Sequence, residues 1–340
     1  MIKVGIAGIG FMGWIHYLAY QSRADVQVVA ICSSDEAKRA GDWLDIKGNF
    51  GPPARQVDLA GIKAYETLDE MVADPNVDLV DLCTPPAAHL EGIVAVANAG
   101  KHVFCEKPLG LTLADCDQAL QACQQRQVQL FVGHVLPFFN EYLFALQAAQ
   151  DKRYGDLLGG NFKRVVSDPT WLPDFYDPKI VGGPLLDLHV HDAHFIRLLF
   201  GMPTAVHSVG RKRGQVVSHC QSVFEFRDRE YSVAATSGVI DQQGRPFNHS
   251  YEIHFEQATL QFEFAAFTDE PESMPLKVLL ADGSIERPEL GDGDPVFAFE
   301  REVSELVGCL EAGQASMILD ATLARDAVEI CRMQAQQVTK

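Results

Sequence analysis

The sequence predicts an α/β N-terminal domain with a doubly wound parallel sheet, followed by an α+β domain with a large, mostly antiparallel open sheet. Residues 2–132 alternate short apolar runs with amphipathic stretches, as parallel strands and their crossover helices do. From Phe162 the runs are β-rich, often alternate polar with apolar residues, and are joined by turns such as Asp282-Gly283. Because 340 residues exceed one compact core, we expect domains at 1–127 and 128–340.

Capping signals bound several helices of the first domain. Thr67 begins one helix with Glu70 as its capping partner, and Gly100 ends another. A Gly- and Pro-rich excursion over residues 45–61 predicts a surface loop. The predicted strands are 3–7, 26–32, 77–83 and 101–105, with a further one at 128–132, and the predicted helices are 13–22, 36–44, 67–73, 87–99 and 112–126.

Aromatic residues are frequent in the predicted strands of the second domain. The strands are 206–210, 218–226, 231–237, 250–255, 259–264 and 276–280, with helices at 185–200, 296–310 and 319–337. Both phases of the alternation carry aromatics, namely Phe224, Phe226, Tyr251, Phe255, Phe262 and Phe264. Since an open face this apolar would aggregate, we expect another subunit to cover it, in a homodimer or homotetramer.

Composition excludes some partners. The net charge of −18 would repel phosphate backbones and anionic lipid, so we expect neither nucleic acid nor membrane as a partner. Eight scattered cysteines without a CxxC pair predict reduced core residues. The chain begins directly in a predicted strand, so we expect no signal peptide and a cytoplasmic protein.

A glycine motif follows the first strand and opens the first helix. In Gly8-Ile-Gly10-Phe11-Met12-Gly13, the first glycine permits the tight turn, the second lets a pyrophosphate approach the backbone, and the third lets helix and strand pack closely. The helix N-terminus then offers N–H groups to the phosphates. This pattern predicts a Rossmann domain that binds NAD or NADP.

The end of the second strand bears on the choice of cofactor. Ser33 and Ser34 stand where a carboxylate usually binds the ribose hydroxyls of NAD, and Lys38 follows one turn later, within reach of a 2′-phosphate. These residues favour NADP over NAD, with Asp35 and Glu36 as the counterargument. Alternatively, one of the serines simply caps the next helix.

Two more motifs end strands at the edge of the sheet where ligands bind. Thr84-Pro85-Pro86, with His89, forms a rigid shelf after strand 77–83, although a plain turn explains the prolines equally well. Glu106-Lys107-Pro108 follows strand 101–105, and Lys107 could bond both the nicotinamide ribose and a substrate hydroxyl. The alternative for Lys107 is a surface ion pair with Glu106.

These three motifs, in this order and spacing, resemble the glucose–fructose oxidoreductase/inositol dehydrogenase (Gfo/Idh/MocA) family. The resemblance continues at Gly182-Gly183-Pro184 through Asp187 to His191 and covers essentially the whole chain. It implies hydride transfer between a nicotinamide and a carbon–hydroxyl of a sugar, cyclitol or sugar derivative. It also implies that Lys107 and His191 handle the proton while Asp187 orients them, that the Lys107–Pro108 bond is cis, and that subunits pair through the second sheet.

Three histidines depart from the family pattern. His189 replaces a glycine, His194 an aspartate, and His134 stands where an arginine is frequent, which puts the substrate class in doubt. His134 itself is a candidate substrate contact, as are Trp171, because aromatic rings stack on sugar faces, and Asp174 in the same loop.

Alternatives remain open for the histidine segment and for the whole chain. Asp187, His189, His191 and His194 could hold a divalent metal, but on a helix His189 points away from His191, so we predict no metal site. The fold could serve as a non-catalytic nucleotide-binding sensor. It could also be an aldose–aldose oxidoreductase that keeps NADP tightly bound.

Overall fold

A computed structural model describes residues 1–227 and 229–338 of the chain. The chain forms two compact units, one of residues 1–139 with 293–325 and the other of residues 140–292 with the residues from 326 onward. The α/β class and the presence of a second, strand-rich unit are as predicted. The division after residue 127 stays a prediction.

The first unit is built on a six-stranded parallel sheet in the order β3-β2-β1-β4-β5-β6, the strand order of a Rossmann fold. Its strands are β1 Ile2–Ala7, β2 Val26–Cys32, β3 Lys63–Tyr65, β4 Leu79–Leu82, β5 His102–Glu106 and β6 Leu130–Gly133. Its helices are α1 Phe11–Gln21, α2 Glu36–Arg39, α3 Leu68–Val72, α4 His89–Asn98, α5 Leu113–Arg126 and, from the later segment, α8 Pro295–Ala312. β6 pairs with β5, so the strand just past residue 127 belongs to this sheet.

Local signals fix several helix boundaries in this unit. The capping box predicted for Thr67 and Glu70 is confirmed at the start of α3, and Thr112 with Asp115 forms a second one at α5. Each box satisfies two N–H groups that a helix start would otherwise leave unpaired.

One prediction around α2 was wrong, and a second was incomplete. The helix expected over 36–44 ends at Arg39, because Gly41 has a φ of 84° and a Cβ there would lie 2.2 Å from the Val57 carbonyl oxygen. The excursion over 45–61 is not only a surface loop. Its Pro52 carbonyl accepts a hydrogen bond from Trp14 Nε1 (3.0 Å), and the Phe50 ring packs 4.8 Å from that of Phe11. The loop therefore packs on the first helix of the unit.

The second unit carries an eight-stranded sheet in the order β14-β13-β12-β11-β7-β10-β9-β8. Among the described strands of this second sheet, only β7 and β10 pair in parallel, so the sheet is mostly antiparallel, as predicted. The strands are β7 Leu157–Ser167, β8 Ala205–Arg213, β9 Val216–Glu225, β10 Ser232–Ile240, β11 Phe247–Phe255, β12 Ala258–Ala266, β13 Pro271–Leu280 and β14 Ile285–Glu286. The helices are α6 Asn140–Gln150, α7 Val190–Phe200, which follows a π-helical turn at Leu185–His189, and α9 Ala321–Gln337, which begins in the first unit.

The aromatic residues of the two phases do not line opposite faces of this sheet. Phe224, Tyr251, Phe255 and Phe262 are 1%, 2%, 4% and 5% exposed. Phe262 lies directly opposite Tyr251, and residues paired in this way point to the same face. Odd and even numbering cannot be compared between strands, because the register decides which residues share a face. The covering subunit stays a prediction without this support.

The eight cysteines are free thiols, six of them buried, while Cys83 and Cys309 are partly exposed. None of the helices in the described part of the chain combines the length and the apolar character needed to cross a membrane.

Candidate active site

The glycine loop of the first unit fits a dinucleotide pyrophosphate. Gly8 has a φ of 95°, and a Cβ there would lie 2.6 Å from the Cys83 carbonyl oxygen. A Cβ on Gly13 would lie 2.2 Å from the Gly8 carbonyl oxygen, whereas one on Gly10 would meet nothing within 4 Å. Gly10 is the N-cap of α1, with no side-chain cap and no acidic residue in the first turn, and Phe11 and Met12 follow, partly exposed. The N-terminus of this helix is therefore open to an anionic group.

At the end of β2, the cap of α2 is Asp35, not Ser33 or Ser34. The Asp35 carboxylate accepts hydrogen bonds from the Ala37 N–H (2.9 Å) and the Lys38 N–H (3.4 Å), and the Ser33 hydroxyl accepts one from the Asp35 N–H (3.2 Å). The negative charge of Asp35 is the main argument against NADP. The N-terminus of α2 partly balances this charge.

Arg39 is a candidate residue that the sequence reasoning missed. Its guanidinium donates a hydrogen bond to the Ser33 carbonyl (2.7 Å), which places a permanent positive charge beside the end of β2. The adjacent cations Lys38 and Arg39, one turn after the strand, were the signal that could have found it.

The shelf after β4 is held by His89. Thr84 and Pro85 lead into a 3₁₀ turn at Pro86–Ala88, and His89 begins α4 fully buried. Its Nε2 lies 2.8 Å from the Thr84 carbonyl oxygen and its Nδ1 lies 2.7 Å from that of Pro108. Burial lowers the pKa of His89. The ring joins the shelf to the turn that contains Lys107, while a direct contact of His89 with the cofactor stays a prediction.

The turn after β5 presents Lys107. The Lys107–Pro108 peptide bond is cis, which confirms the expectation from the family resemblance. Glu106 is only 6% exposed, and its Oε2 accepts a hydrogen bond from the Lys107 N–H (3.0 Å). Glu106 therefore anchors the main chain at Lys107.

A buried ionisable cluster adjoins Glu106 and was not predicted. His16 of α1 is 0% exposed, with Nδ1 at 2.8 Å from Asp81 Oδ2 and Nε2 at 3.1 Å from Glu106 Oε1. The Nε2 contact is an ion-pair distance, not a well-aligned hydrogen bond. Burial alone would lower the pKa of His16, but Asp81 raises it well above its usual range. In the sequence, this cluster could have been found from the aspartate at position 81, which lies within the apolar run Leu79–Leu82.

In the second unit, two glycines precede the segment of Asp187 and His191. Gly182 and Gly183 have φ values of 86° and 81°, and a Cβ on Gly183 would lie 2.7 Å from Val216 Cβ. The Asp187 N–H then donates to the Gly183 carbonyl (3.0 Å) within the start of the π-helical turn. Such turns are frequent at functional sites.

Burial separates the polar residues of this segment. Asp187 and His191 are partly exposed, whereas His189 and His194 are 0% exposed. His189 thus lies in the core, whereas Asp187 and His191 do not. Whether Asp187 and His191 touch a substrate stays a prediction.

A second buried ion cluster lies under α7. Arg164 of β7 and Asp192 of α7 are 4% and 1% exposed, and the guanidinium donates two hydrogen bonds to the carboxylate, at 2.8 and 3.1 Å. His189 Nδ1 lies 3.7 Å from the same carboxylate. Burial alone would raise the pKa of Asp192, but Arg164 and His189 lower it to about 2.

The three candidate substrate contacts differ in their exposure and in the unit to which they belong. His134 is 0% exposed and follows β6 in the first unit. Trp171 is 63% exposed and Asp174 is also exposed, in the loop of the second unit that follows β7. That loop is anchored by Tyr176, whose hydroxyl donates to Asp168 (2.6 Å). The role of all three in substrate binding stays a prediction.

The chain belongs to the GFO/IDH/MocA oxidoreductase family. Residues 2–134 match the family model described as "Oxidoreductase family, NAD-binding Rossmann fold", and residues 142–261 match the GFO/IDH/MocA C-terminal domain. The first unit is therefore an NAD-binding Rossmann domain, although this does not distinguish NAD from NADP.

Named relatives act on cyclic polyols and sugars. The chain is 30% identical to myo-inositol 2-dehydrogenase of Thermotoga maritima over 200 residues, which are 59% of this chain and 55% of that protein. It is 32% identical to 2,7-anhydro-N-acetylneuraminate hydratase of Mediterraneibacter gnavus over 248 residues, 68% of this chain and 60% of that protein. The matched region thus spans little more than half the length of these relatives. Aldose–aldose oxidoreductase of Caulobacter crescentus shares the fold, with a TM-score of 0.79 at 20% identity over 99% of this chain and 97% of that one.

Proposed function

We propose that this protein is an NAD(P)-dependent dehydrogenase that transfers a hydride between the nicotinamide and a carbon–hydroxyl of a sugar, cyclitol or sugar derivative. One observation carries the proposal. The glycine loop, the Thr84 shelf and the cis Lys107 turn follow β1, β4 and β5, three neighbouring parallel strands, so they share the carboxyl edge of one sheet. In open α/β sheets this edge is where ligands bind.

The cofactor would be held by residues of the first unit. The N-terminus of α1 receives the pyrophosphate, the end of β2 the adenosine ribose, and the shelf and the Lys107 turn the nicotinamide ribose. The residues assigned to this role are Gly8, Gly10, Phe11, Met12, Gly13, Ser33, Ser34, Lys38, Thr84, Pro85, His89, Glu106 and Lys107. When bound, the nicotinamide supplies the hydride acceptor or donor.

Three side chains would handle the proton. Oxidation of an alcohol removes the hydroxyl proton as the hydride leaves the same carbon, so a base must lie within about 3 Å of that oxygen. His191 acts as this base, because imidazole is the side chain best suited to accept a proton near neutral pH. Lys107, as a cation, stabilises the developing alkoxide, and Asp187 orients the pair. His134, Trp171 and Asp174 are proposed substrate contacts.

We favour NADP as the cofactor. Arg39 places a cation beside the end of β2, although its guanidinium also lies 3.7 Å from a Glu66 carboxylate oxygen. Lys38 precedes it in α2, and the Asp35 carboxylate is engaged by the α2 N–H groups. Titration of NAD and NADP checks this. Lys38→Ala and Arg39→Ala should each weaken NADP several-fold and leave NAD unchanged. Tighter binding of NAD that neither variant alters would reverse the choice.

We also propose that the chain forms a homodimer or homotetramer through the second sheet. Val209 and Val223, on neighbouring strands, are 72% and 54% exposed. Light scattering at micromolar concentration is the test, and a monomer there would contradict the proposal.

A substrate panel tests the activity itself. It should contain myo-inositol, 2,7-anhydro-N-acetylneuraminate, aldoses and sugar acids, assayed by the absorbance of reduced nicotinamide with both cofactors. Turnover of one class supports the proposal. Tight cofactor binding without any turnover would instead favour the sensor, and NADP that stays bound through purification and cycles between two aldoses would favour the aldose–aldose oxidoreductase.

A further inference from the structure

His16, Asp81 and Glu106 form a buried ion cluster in the first unit that the proposed reaction does not use. Each ring nitrogen of His16 faces a carboxylate oxygen, with Asp81 at 2.8 Å and Glu106 at 3.1 Å. A neutral imidazole has one N–H, so only the doubly protonated ring places an N–H on each nitrogen, one hydrogen-bonded to Asp81 and the other in an ion pair with Glu106. The ring also stacks on Phe104, 5.3 Å away.

The two carboxylates differ in what else holds them. Asp81 also accepts hydrogen bonds from the Tyr20 hydroxyl (2.9 Å) and the Cys83 thiol (3.4 Å), so it keeps two partners without His16. Glu106 has His16 at one oxygen and the Lys107 N–H at the other. The orientation of Glu106 therefore depends on His16 much more than that of Asp81 does.

Stability alone does not explain this arrangement. Taking several charges out of water is costly, and an apolar set of the same volume is often as stable as a buried ion cluster. The cluster is, however, connected to the proposed active site, because Glu106 accepts a hydrogen bond from the Lys107 N–H.

We propose that His16 is a positioning residue. As an imidazolium between Asp81 and Glu106, His16 holds the Glu106 carboxylate in the position where Glu106 accepts the hydrogen bond from the Lys107 N–H. This fixes the main chain from which the Lys107 side chain extends. The proposal rests on the proposed function of Lys107. No substrate or cofactor contact by His16 is required.

A metal centre is the competing explanation. Donor atoms of His16, Asp81 and Cys83 lie within 4.8 Å of one another. However, burial raises the pKa of the Cys83 thiol, and the bound thiolate that a metal site needs is disfavoured. The hydrogen bonds within the trio already use these donor atoms.

The first experiment measures the charge of His16 without any need for turnover. In ¹⁵N-histidine-labelled full-length protein, with His16→Gln to assign the signals, both ring nitrogens of His16 should stay protonated at pH values above the ordinary pKa of about 6.5. Glu106→Gln should lower the pH at which the ring loses its proton. The other ionisable groups around the ring are Asp81 and Cys83 of β4, Tyr20 of α1 and Glu302 of α8. A ring that is neutral at pH 7, or a stoichiometric metal found in the purified protein by mass spectrometry, would overturn the proposal.

The second experiment is a double-mutant cycle of His16→Phe and Lys107→Met. Phenylalanine keeps the stacking on Phe104 and removes both N–H donors. We expect His16→Phe to lower kcat by about tenfold with little change in KM, and to cause no further loss in the Lys107→Met background. Losses that add in the double variant would show a role independent of Lys107 and overturn the proposal.

Two variants complete the design. The matched control is Tyr20→Phe, which removes a donor from Asp81 but leaves the contact between His16 and Glu106, so kcat should stay within about twofold. His16→Gln replaces His16→Phe in the cycle if the latter does not fold. If no substrate turns over, the proposed function fails. The double-mutant cycle then uses the dissociation constant of the cofactor, measured by fluorescence, in place of kcat. If the effects of the two substitutions on that constant are coupled, the positioning role of His16 is supported. If the effects are additive, the proposal is overturned.

Discussion

The two units each bury an ion cluster next to a residue to which we assign a catalytic role, and the clusters are built from different cations. In the first unit the cation is His16, between Asp81 and Glu106, and Glu106 bonds the main chain of Lys107. In the second unit it is Arg164, which binds Asp192 through two hydrogen bonds, and Asp192 is the residue after His191.

The difference lies in which member of each cluster can change its charge. A guanidinium stays charged at any pH that a protein tolerates, so within the Arg164–Asp192 ion pair it is the carboxylate that responds to pH, and it does so in acid. An imidazolium can lose its proton, so the His16 cluster responds in base. The same device, a buried cation that holds a carboxylate, thus gives the two units opposite sensitivities to pH.

The largest expected effect is on stability, from breaking the Arg164 cluster. Arg164→Ala should destabilise the second unit by about 3–5 kcal/mol, because it leaves the Asp192 charge buried without its main partner. Denaturant unfolding followed by circular dichroism measures this. The matched control is the double variant Arg164→Met with Asp192→Leu, which removes both charges and should recover most of the loss. A single variant as stable as the parent would mean that Asp192 is protonated or hydrated in the native protein.

The next effect concerns turnover. His191→Ala and Lys107→Ala should each lower kcat by about 100-fold or more, the usual scale for acid–base residues. His191→Ala should leave cofactor affinity nearly unchanged, whereas Lys107→Ala should weaken it. Steady-state kinetics on a substrate identified by the panel provide the measurement. If either variant kept turnover within a few-fold of the parent, the proposed assignment of the proton would be wrong.

A smaller effect is the loss of stability in acid that comes from Asp192. Its pKa is lowered to about 2 in the folded protein, below its unfolded value, so it contributes stability above about pH 4 that is lost as the pH falls towards 2. The contribution is about 2 kcal/mol. The unfolding free energy of the parent and of Asp192→Asn, measured across this window, should converge as the pH falls. Parallel curves would show that Asp192 does not titrate there.

The smallest effect is expected on the alkaline side, from His16. Its pKa is raised above the unfolded value, so its stabilisation is complete below about pH 6.5 and is lost as the pH rises through the folded pKa. Above that pH the neutral ring can still donate one N–H to Asp81. His16→Gln should flatten the alkaline decline in melting temperature, whereas Arg164→Met should leave that decline in place. A decline that is unchanged in His16→Gln would assign it to another group.

Some features of the fold and of the candidate site could be predicted because they depend on short stretches of sequence. The glycine motif specifies its own turn, since Gly8 needs a positive φ and Gly13 must approach the Gly8 carbonyl. The Thr67 capping box closes within four residues. The order of the three motifs along the strands follows from the parallel βαβ pattern, which sends every strand the same way through the sheet.

Other features were missed because they require contacts between distant residues. His16 and Asp81 are 65 positions apart and meet because α1 packs against the centre of the sheet. β7, at the centre of the second sheet, carries two glycines and an asparagine at residues 159–161, near its start, and these are poor strand formers. It forms because its neighbours on both sides supply hydrogen bonds.

The sequence by itself determined the fold class, the nucleotide-binding loop and the family, since each depends on residue type at short spacing. Only the tertiary structure decided which face of the second sheet buries the aromatic residues, which residue caps α2, and which cation holds Glu106. Those outcomes depend on strand register and on the direction in which side chains point. Both are set by pairing between segments that lie far apart in the chain.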